Sequence, residues 1–249
     1  MFSRLADNLA TDLASGIGPR EILGSNLVEY WDSTAGIGLV SSAADTWTGQ
    51  KLGLVLTAPA AGQRPVYGAD GSNFGGASVV QCAITNSKCM NIPVSGTNFF
   101  TTGQKPFILW VGRYRTLTAA QTTAFFVQDT ASTQVTTTGV FTGGVNWFSQ
   151  WFSVSARTDG AAVTTSPVTV RTDLRASDGK NELGIDSAAL VVSGTGAAIT
   201  VNINVAQIGN DRGARFSDTS HRGLILCAAV PTTAEIAALY RYVNAEWMA

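Results

Sequence analysis

Apolar and polar residues alternate in short runs along most of this chain, and Gly, Asn, Asp, Ser or Pro closes each run. The strongest run is "KPFILWVGRYRTL". In it Phe107, Leu109 and Val111 face one way and Ile108, Trp110 and Gly112 the other, which predicts a strand covered on both faces. "LVEYWDS", "TTAFFVQDT", "NWFSQWFSVSA", "SPVTVRTDLRA", "ELGIDSAALVV" and "AAITVNINVAQIGN" predict further strands. "VSSAADTWTGQKLGLVLTA" predicts two short strands about a turn at Thr48-Gly49, and "RPVYGADGSNFGGASVVQC" predicts a strand on either side of a glycine-rich turn. Many short strands with frequent turns mean antiparallel sheets in a sandwich or barrel.

Two segments leave this period. Phe2, Leu5, Leu9 and Leu13 recur at three- and four-residue steps, and Gly16, Gly18 and Pro19 end the pattern. Residues 1–24 are therefore expected to form an amphipathic arm, docked on their own domain or on a neighbouring subunit, with one β domain over 25–249. At the other end, Thr232 and Glu235 have capping-box spacing, and Ile236, Leu239, Tyr240, Val243 and Trp247 make one helical stripe. That helix is expected to cover part of the sandwich.

Composition narrows the function classes. With 45% hydrophobic and 13% charged residues, the 249-residue chain can bury a sizeable core. A net charge of −1 gives no global field toward nucleic acid or an anionic membrane. Arg4, Asp7 and Asp12 interrupt any signal-peptide core, so synthesis in the cytosol without export is expected. Three cysteines and one histidine do not make a zinc site; Cys82, Cys89 and Cys227 are buried free thiols, or Cys82 pairs with Cys89 and leaves Cys227 free.

Catalytic, metal and cofactor signals are lacking. His221 is a lone histidine, expected at the surface, and no GxSxG accompanies it. Glu182 and Asp186 share a strand face but stand roughly 13 Å apart at about 3.3 Å per residue, wider than either glycosidase geometry. The oxygen-bearing residues Asp70, Ser72 and Asn73, and Asn210, Asp211 and Asp218, read as turns rather than calcium loops. Two binding candidates remain. Arg113 and Arg115 flank Tyr114 on one strand face and could hold a carboxylate or phosphate. Trp147 and Trp151 share one face of their strand, opposite Phe148 and Phe152; with the phenylalanines filling the core, the tryptophans would meet a sugar or a partner.

The closing order, "IGN" (208–210), a polar loop, "FSDTSHRGLILCAAV" (216–230) and "PTTAEIAALYRYVNAEW" (231–247), resembles the end of laminin-G-like, concanavalin A-like jelly rolls. The opening "LVEYWD", "VSSAADTWTG" and "QRPVYGADGSNFGGASVVQC" is similar to that of members encoded by tailed bacteriophages. The resemblance implies an all-β jelly-roll sandwich with a helical arm and a C-terminal helix. It further implies a non-enzymatic virion structural protein, most simply a head decoration protein, bound to a major capsid or tail protein and homo-oligomeric. A tail or fibre module that binds host surface glycans is the alternative, and a polysaccharide-cleaving enzyme is disfavoured by the missing carboxylate pair.

Overall fold

The computed structural model describes residues 17–92, 96–117, 122–129, 131, 135–140, 146–151, 156–174, 177–186, 190–196, 198–210 and 215–249. Phe2, Leu5, Leu9 and Leu13 lie outside them. The described chain opens with helix α1 (Pro19–Leu23) and a short 3-10 turn. It then runs through β1 (Leu27–Asp32), β2 (Ile37–Val40), β3 (Ala43–Thr48), β4 (Val55–Thr57), β5 (Val66–Ala69) and β6 (Ser78–Cys82). Next come β7 (Met90–Ile92), β8 (Phe107–Tyr114), β9 (Thr122–Gln128), β10 (Val135–Val140), β11 (Asn146–Trp151) and β12 (Ala156–Ala162). The last strands are β13 (Val168–Leu174), β14 (Lys180–Ile185), β15 (Val191–Gly196), β16 (Val205–Ile208) and β17 (Thr219–Cys227), followed by helix α2 (Thr233–Tyr242).

Every pairing between these strands is antiparallel, as expected of an all-β sandwich or barrel. One branch of the pairing runs β1–β17–β8–β13–β14–β15. The other runs β2–β3–β4–β7–β16–β9–β10–β11–β12. The main core lies between them: Ile108, Trp110, Val170 and Leu224 of the first branch meet Trp47, Met90, Phe125, Trp147 and Ala206 of the second. We call the two branches the first and second layers.

The alternation in β8 is realised on both faces. Ile108 and Trp110 enter the main core, while Phe107, Leu109 and Val111 join a second cluster with Leu239, Val243 and Trp247. The C-terminal helix therefore covers the outer face of the first layer, and its buried stripe does what the sequence spacing requires. The capping box forms as its spacing predicts. Thr232 Oγ1 accepts from the Glu235 amide at 3.3 Å, and Glu235 Oε2 accepts from the Thr232 amide at 2.7 Å. Thr232→Ala is expected to lower stability by about 1 kcal/mol, read as a fall of a few degrees in Tm by calorimetry; an unchanged melt would show that burial of Trp247 alone holds the helix. From the other end, Leu23 of α1 packs into this same second cluster.

Buried polar contacts fasten the C-terminal segment to the first layer. The Asp32 carboxylate accepts from Arg222, from the Trp247 indole at 2.9 Å and from the Thr34 amide at 2.8 Å. Burial pushes the Asp32 carboxyl up, but the Arg222 charge and the Thr34 hydrogen bonds outweigh it and hold it below the usual carboxylate range.

Candidate functional site

The outer face of the second layer carries a row of polar residues that no single stretch of sequence reveals. Register builds it. Thr46 stands opposite Thr57, Thr57 opposite Asn91, Asn91 opposite Gln207, and Gln207 opposite Phe126. The ladder continues from Phe126 to Thr137 and from Thr137 to Gln150. Their neighbours along each strand, Trp47, Leu56, Met90, Ile92, Ala206, Ile208, Phe125, Val127 and Trp151, are in the main core. Because side chains alternate across a strand, the row faces the other way.

Thr46, Thr57, Asn91, Gln207 and Gln150 are each half-buried, walled in yet reachable, and Phe126 is an apolar floor in their midst. Neighbours in such a row stand about 4.8 Å apart. Two buried acceptors on this face, Asn91 Oδ1 and Gln128 Oε1, have no hydrogen-bond partner among the described residues. An unmade bond of this kind costs about 1–3 kcal/mol, and a side-chain rotation that brought either atom to the surface would let it accept from a bound hydroxyl or water.

The binding candidates read from sequence go elsewhere. Trp147 and Trp151 point inward, contrary to expectation. Trp147 packs on Trp110 at 5.7 Å and Tyr114 at 5.4 Å between ring centroids, and the Trp151 indole donates to Thr172 Oγ1 at 3.2 Å. The gap between layers is wide enough for the larger rings, and Phe148 takes the opposite face of β11, where it is also buried. Arg113 and Arg115 are committed internally. Arg113 forms a bidentate pair with Asp70 at 2.5 and 3.0 Å and donates to Thr165 O at 2.6 Å. Arg115 donates to Cys82 O. Asp70 also accepts from Ser220 Oγ at 2.7 Å, so the "YGADGSN" turn is held by protein groups. Among the described residues, no three His, Cys, Asp or Glu side chains come together to hold a metal ion.

His221 is in β17 and fully buried, not at the surface. Its Nδ1 accepts from the Trp110 indole at 2.9 Å and its Nε2 lies 2.8 Å from Thr219 Oγ1. A cluster that sequence reading missed lies on the outer face of the first layer. Asp173 stands opposite Glu182, and Arg171 reaches both, at 2.5 Å to Asp173 and 3.3 Å to Glu182, over the Phe107 ring. Burial, with a smaller contribution from the neighbouring Glu182, pushes the Asp173 carboxyl up to about 7 against the pull of Arg171. The signal was the i, i+2 spacing of Arg171 and Asp173, visible once "SPVTVRTDLRA" is read as a strand. Asp186, the partner sequence spacing offered to Glu182, lies in a turn and accepts from the Thr169 amide at 2.6 Å.

No protein-family model matches this sequence, and no curated protein does. Solved structures share its fold. An arabinofuranosidase complexed with arabinofuranosyl-alpha-1,2-xylobiose aligns over 93% of this chain and 66% of its own, with a TM-score of 0.63 at 12% identity. A point mutant of a GH54 α-L-arabinofuranosidase, soaked with 4-nitrophenyl α-L-arabinofuranoside, gives a TM-score of 0.62 at 13% identity over 94% of this chain and 66% of that one. Domain 4 of AbnA, a GH43 extracellular arabinanase from Geobacillus stearothermophilus in complex with arabinotriose, gives 0.55 at 13% identity, covering 86% of this chain and 98% of that domain. This chain thus spans about two thirds of the arabinofuranosidases and almost all of the arabinanase domain.

These neighbours correct two expectations. The chain was expected to be a head decoration protein or another virion component, and to lack any enzymatic character. The structures that share its fold are glycosidases and a glycosidase domain holding a sugar, and no virion protein is among these three.

Proposed function

We propose that this chain is a carbohydrate-active β-sandwich with the jelly-roll connectivity of laminin-G-like, concanavalin A-like domains, and that its second-layer row holds a neutral, pentose-containing oligosaccharide. The observation that carries this reading is the row itself: amides and hydroxyls about one strand spacing apart, with the unpartnered acceptors of Asn91 and Gln128 on the same face. Amide and hydroxyl side chains both donate and accept, as sugar hydroxyls do. From Thr46 to Gln150 the row carries no charge, which suits a neutral sugar better than an acidic one. The arabinotriose on the arabinanase domain, and the arabinofuranosides on the arabinofuranosidases, support a pentose.

A hydrolytic role has its own support in the arabinofuranosidase likeness. The Asp173–Glu182 pair is a poor candidate for it: both carboxyls are tied to the one Arg171 guanidinium, and they belong to the other layer.

Titration calorimetry with arabinotriose and with xylo-oligosaccharides tests the binding. Binding should weaken roughly tenfold in Asn91→Ala and again in Gln207→Ala, with Tm within about 2 °C of wild type, since each change removes hydrogen bonds worth about 1–1.5 kcal/mol. Absence of binding by the wild-type chain, or unchanged affinity in the double variant, would overturn the assignment of the row. Release of 4-nitrophenol from 4-nitrophenyl α-L-arabinofuranoside by the purified chain would establish the hydrolytic role.

A further inference from the structure

The three cysteines are free and buried in this structure. Two of them face one another. Ala83 and Lys88 exchange both backbone hydrogen bonds, Ala83 N to Lys88 O at 3.1 Å and Lys88 N to Ala83 O at 2.9 Å. They are therefore a hydrogen-bonded antiparallel pair, and the flanking positions, Cys82 and Cys89, form the adjoining pair without mutual backbone bonds. In keeping with this, the Cys89 amide donates away from Cys82, to Gln63 O at 3.2 Å. Such pairs have Cα atoms about 4.5 Å apart with side chains on the same face, inside the range a disulfide spans.

Contacts of the sulfurs agree. Cys82 Sγ lies 3.8 Å from Ile208 O, and Cys89 Sγ accepts from Asn210 Nδ2 at 3.4 Å, so both thiols meet the same three-residue corner, 208–210. Gly209 in that corner has φ +71°, and a Cβ there would come within 2.5 Å of Cys82 Sγ. The corner is shaped around the sulfurs. Cys227, by contrast, is in the second cluster with Phe107 and Ile225, on the far face of the first layer.

We infer that Cys82 and Cys89 are a latent disulfide, closed by a small-molecule disulfide oxidant, that clips β6, which pairs with β17 of the first layer, to the residue leading into β7 of the second. The balance is simple. The two S–H bonds are lost and one S–S bond forms; the two electrons reduce the oxidant's own S–S bond, and its two thiols take up the protons. Burial raises both thiols above their ordinary range, so the exchange proceeds during folding or local opening rather than in the closed native state.

Refolding the full chain with oxidised and reduced glutathione, then counting thiols in denaturant, tests this. One free thiol is expected, against three after reduction, with a single linked peptide joining Cys82 to Cys89 by mass spectrometry. Tm should rise by about 6 °C on oxidation, as expected for a short closed loop. The Cys227→Ser protein should behave the same with no free thiol, and Cys82→Ser should keep two. Three thiols after oxidative refolding, or a linkage through Cys227, would overturn the inference.

Discussion

Replacing Glu29 by alanine is expected to lower stability by about 3–4 kcal/mol and Tm by about 10 °C, among the largest effects of any single side chain here. The carboxylate is fully buried, yet no cation lies among its hydrogen-bond partners. Four backbone amides hold it: Tyr30 at 3.0 Å and Lys51 at 2.6 Å on one oxygen, Leu52 and Leu54 at 3.0 Å each on the other. Hydrogen bonds to an ionised acceptor are stronger than neutral ones, and removing the acceptor leaves these donors to find water or go unpaired. Gly49 shows how tightly the chain closes over the carboxylate, because a Cβ there would come within 2.3 Å of Glu29 Cδ. The segment tied down in this way leads into β4, which contributes Thr57 to the polar row, and the Trp31 indole anchors it further by donating to Trp47 O and Leu54 O. The Glu29→Ala protein should therefore lose oligosaccharide affinity along with stability. Calorimetric melts decide the point. A variant that melts within 2 °C of wild type would mean that the indole bonds alone hold the segment.

Such contacts mark the limit of what the chain's pattern makes legible. Period-two alternation is a local property, and it gives β8, the turn after Thr48 and the hairpin of β5 and β6 directly. The capping box of α2 is equally local, lying within four residues. The polar row depends instead on which strands become neighbours. Thr46, Asn91, Gln207 and Gln150 are far apart in sequence, and each alone reads as a polar residue on a strand. Only the antiparallel register of successive strands aligns them.

The tryptophans of β11 show a related failure. Alternation separates Trp147 and Trp151 from Phe148 correctly, but it cannot say which face is inside. Size decides that, through the fit of Trp147 against Trp110 and Tyr114. A lone histidine next to arginine suggests solvent, but His221 and Arg222 point to opposite sides of one strand. Arg222 goes to Asp32, His221 into the core.

Two buried groups far apart in the fold should nearly cancel in the pH dependence of stability, and Asp173→Asn should expose the cancellation. His221 is the first. Burial, with a lesser contribution from the Arg115 charge, lowers its pKa to about 3 from an ordinary 6.5. The hydrogen bonds agree with a neutral ring. An indole N–H can only donate, so Nδ1 is the acceptor and Nε2 carries the proton, passing a chain through Thr219 to Ser217 and on to Thr123 O. Between about pH 3 and 6.5 the unfolded chain binds a proton here that the folded chain refuses, so stability falls as pH drops through this window.

Asp173 has the opposite sign. Its folded pKa of about 7 lies above the ordinary 3.8, so the folded chain keeps a proton that the unfolded chain has released, and stability falls as pH rises from about 4 to 7. Each slope is at most about 1.4 kcal/mol per pH unit, and over pH 4–6.5 the two oppose one another. An asparagine at 173 has nearly the same shape and no proton to lose. The stability of Asp173→Asn relative to wild type should therefore climb by about 3 kcal/mol between pH 4 and 7 and stay level above that. Asp32 and Asp70, which their partners hold low, titrate alike in both proteins and drop out of the difference. Urea unfolding at unit pH steps measures it. A flat difference would mean that Arg171 keeps Asp173 ionised throughout, and that the cluster is an ordinary buried ion pair with no share in the pH response.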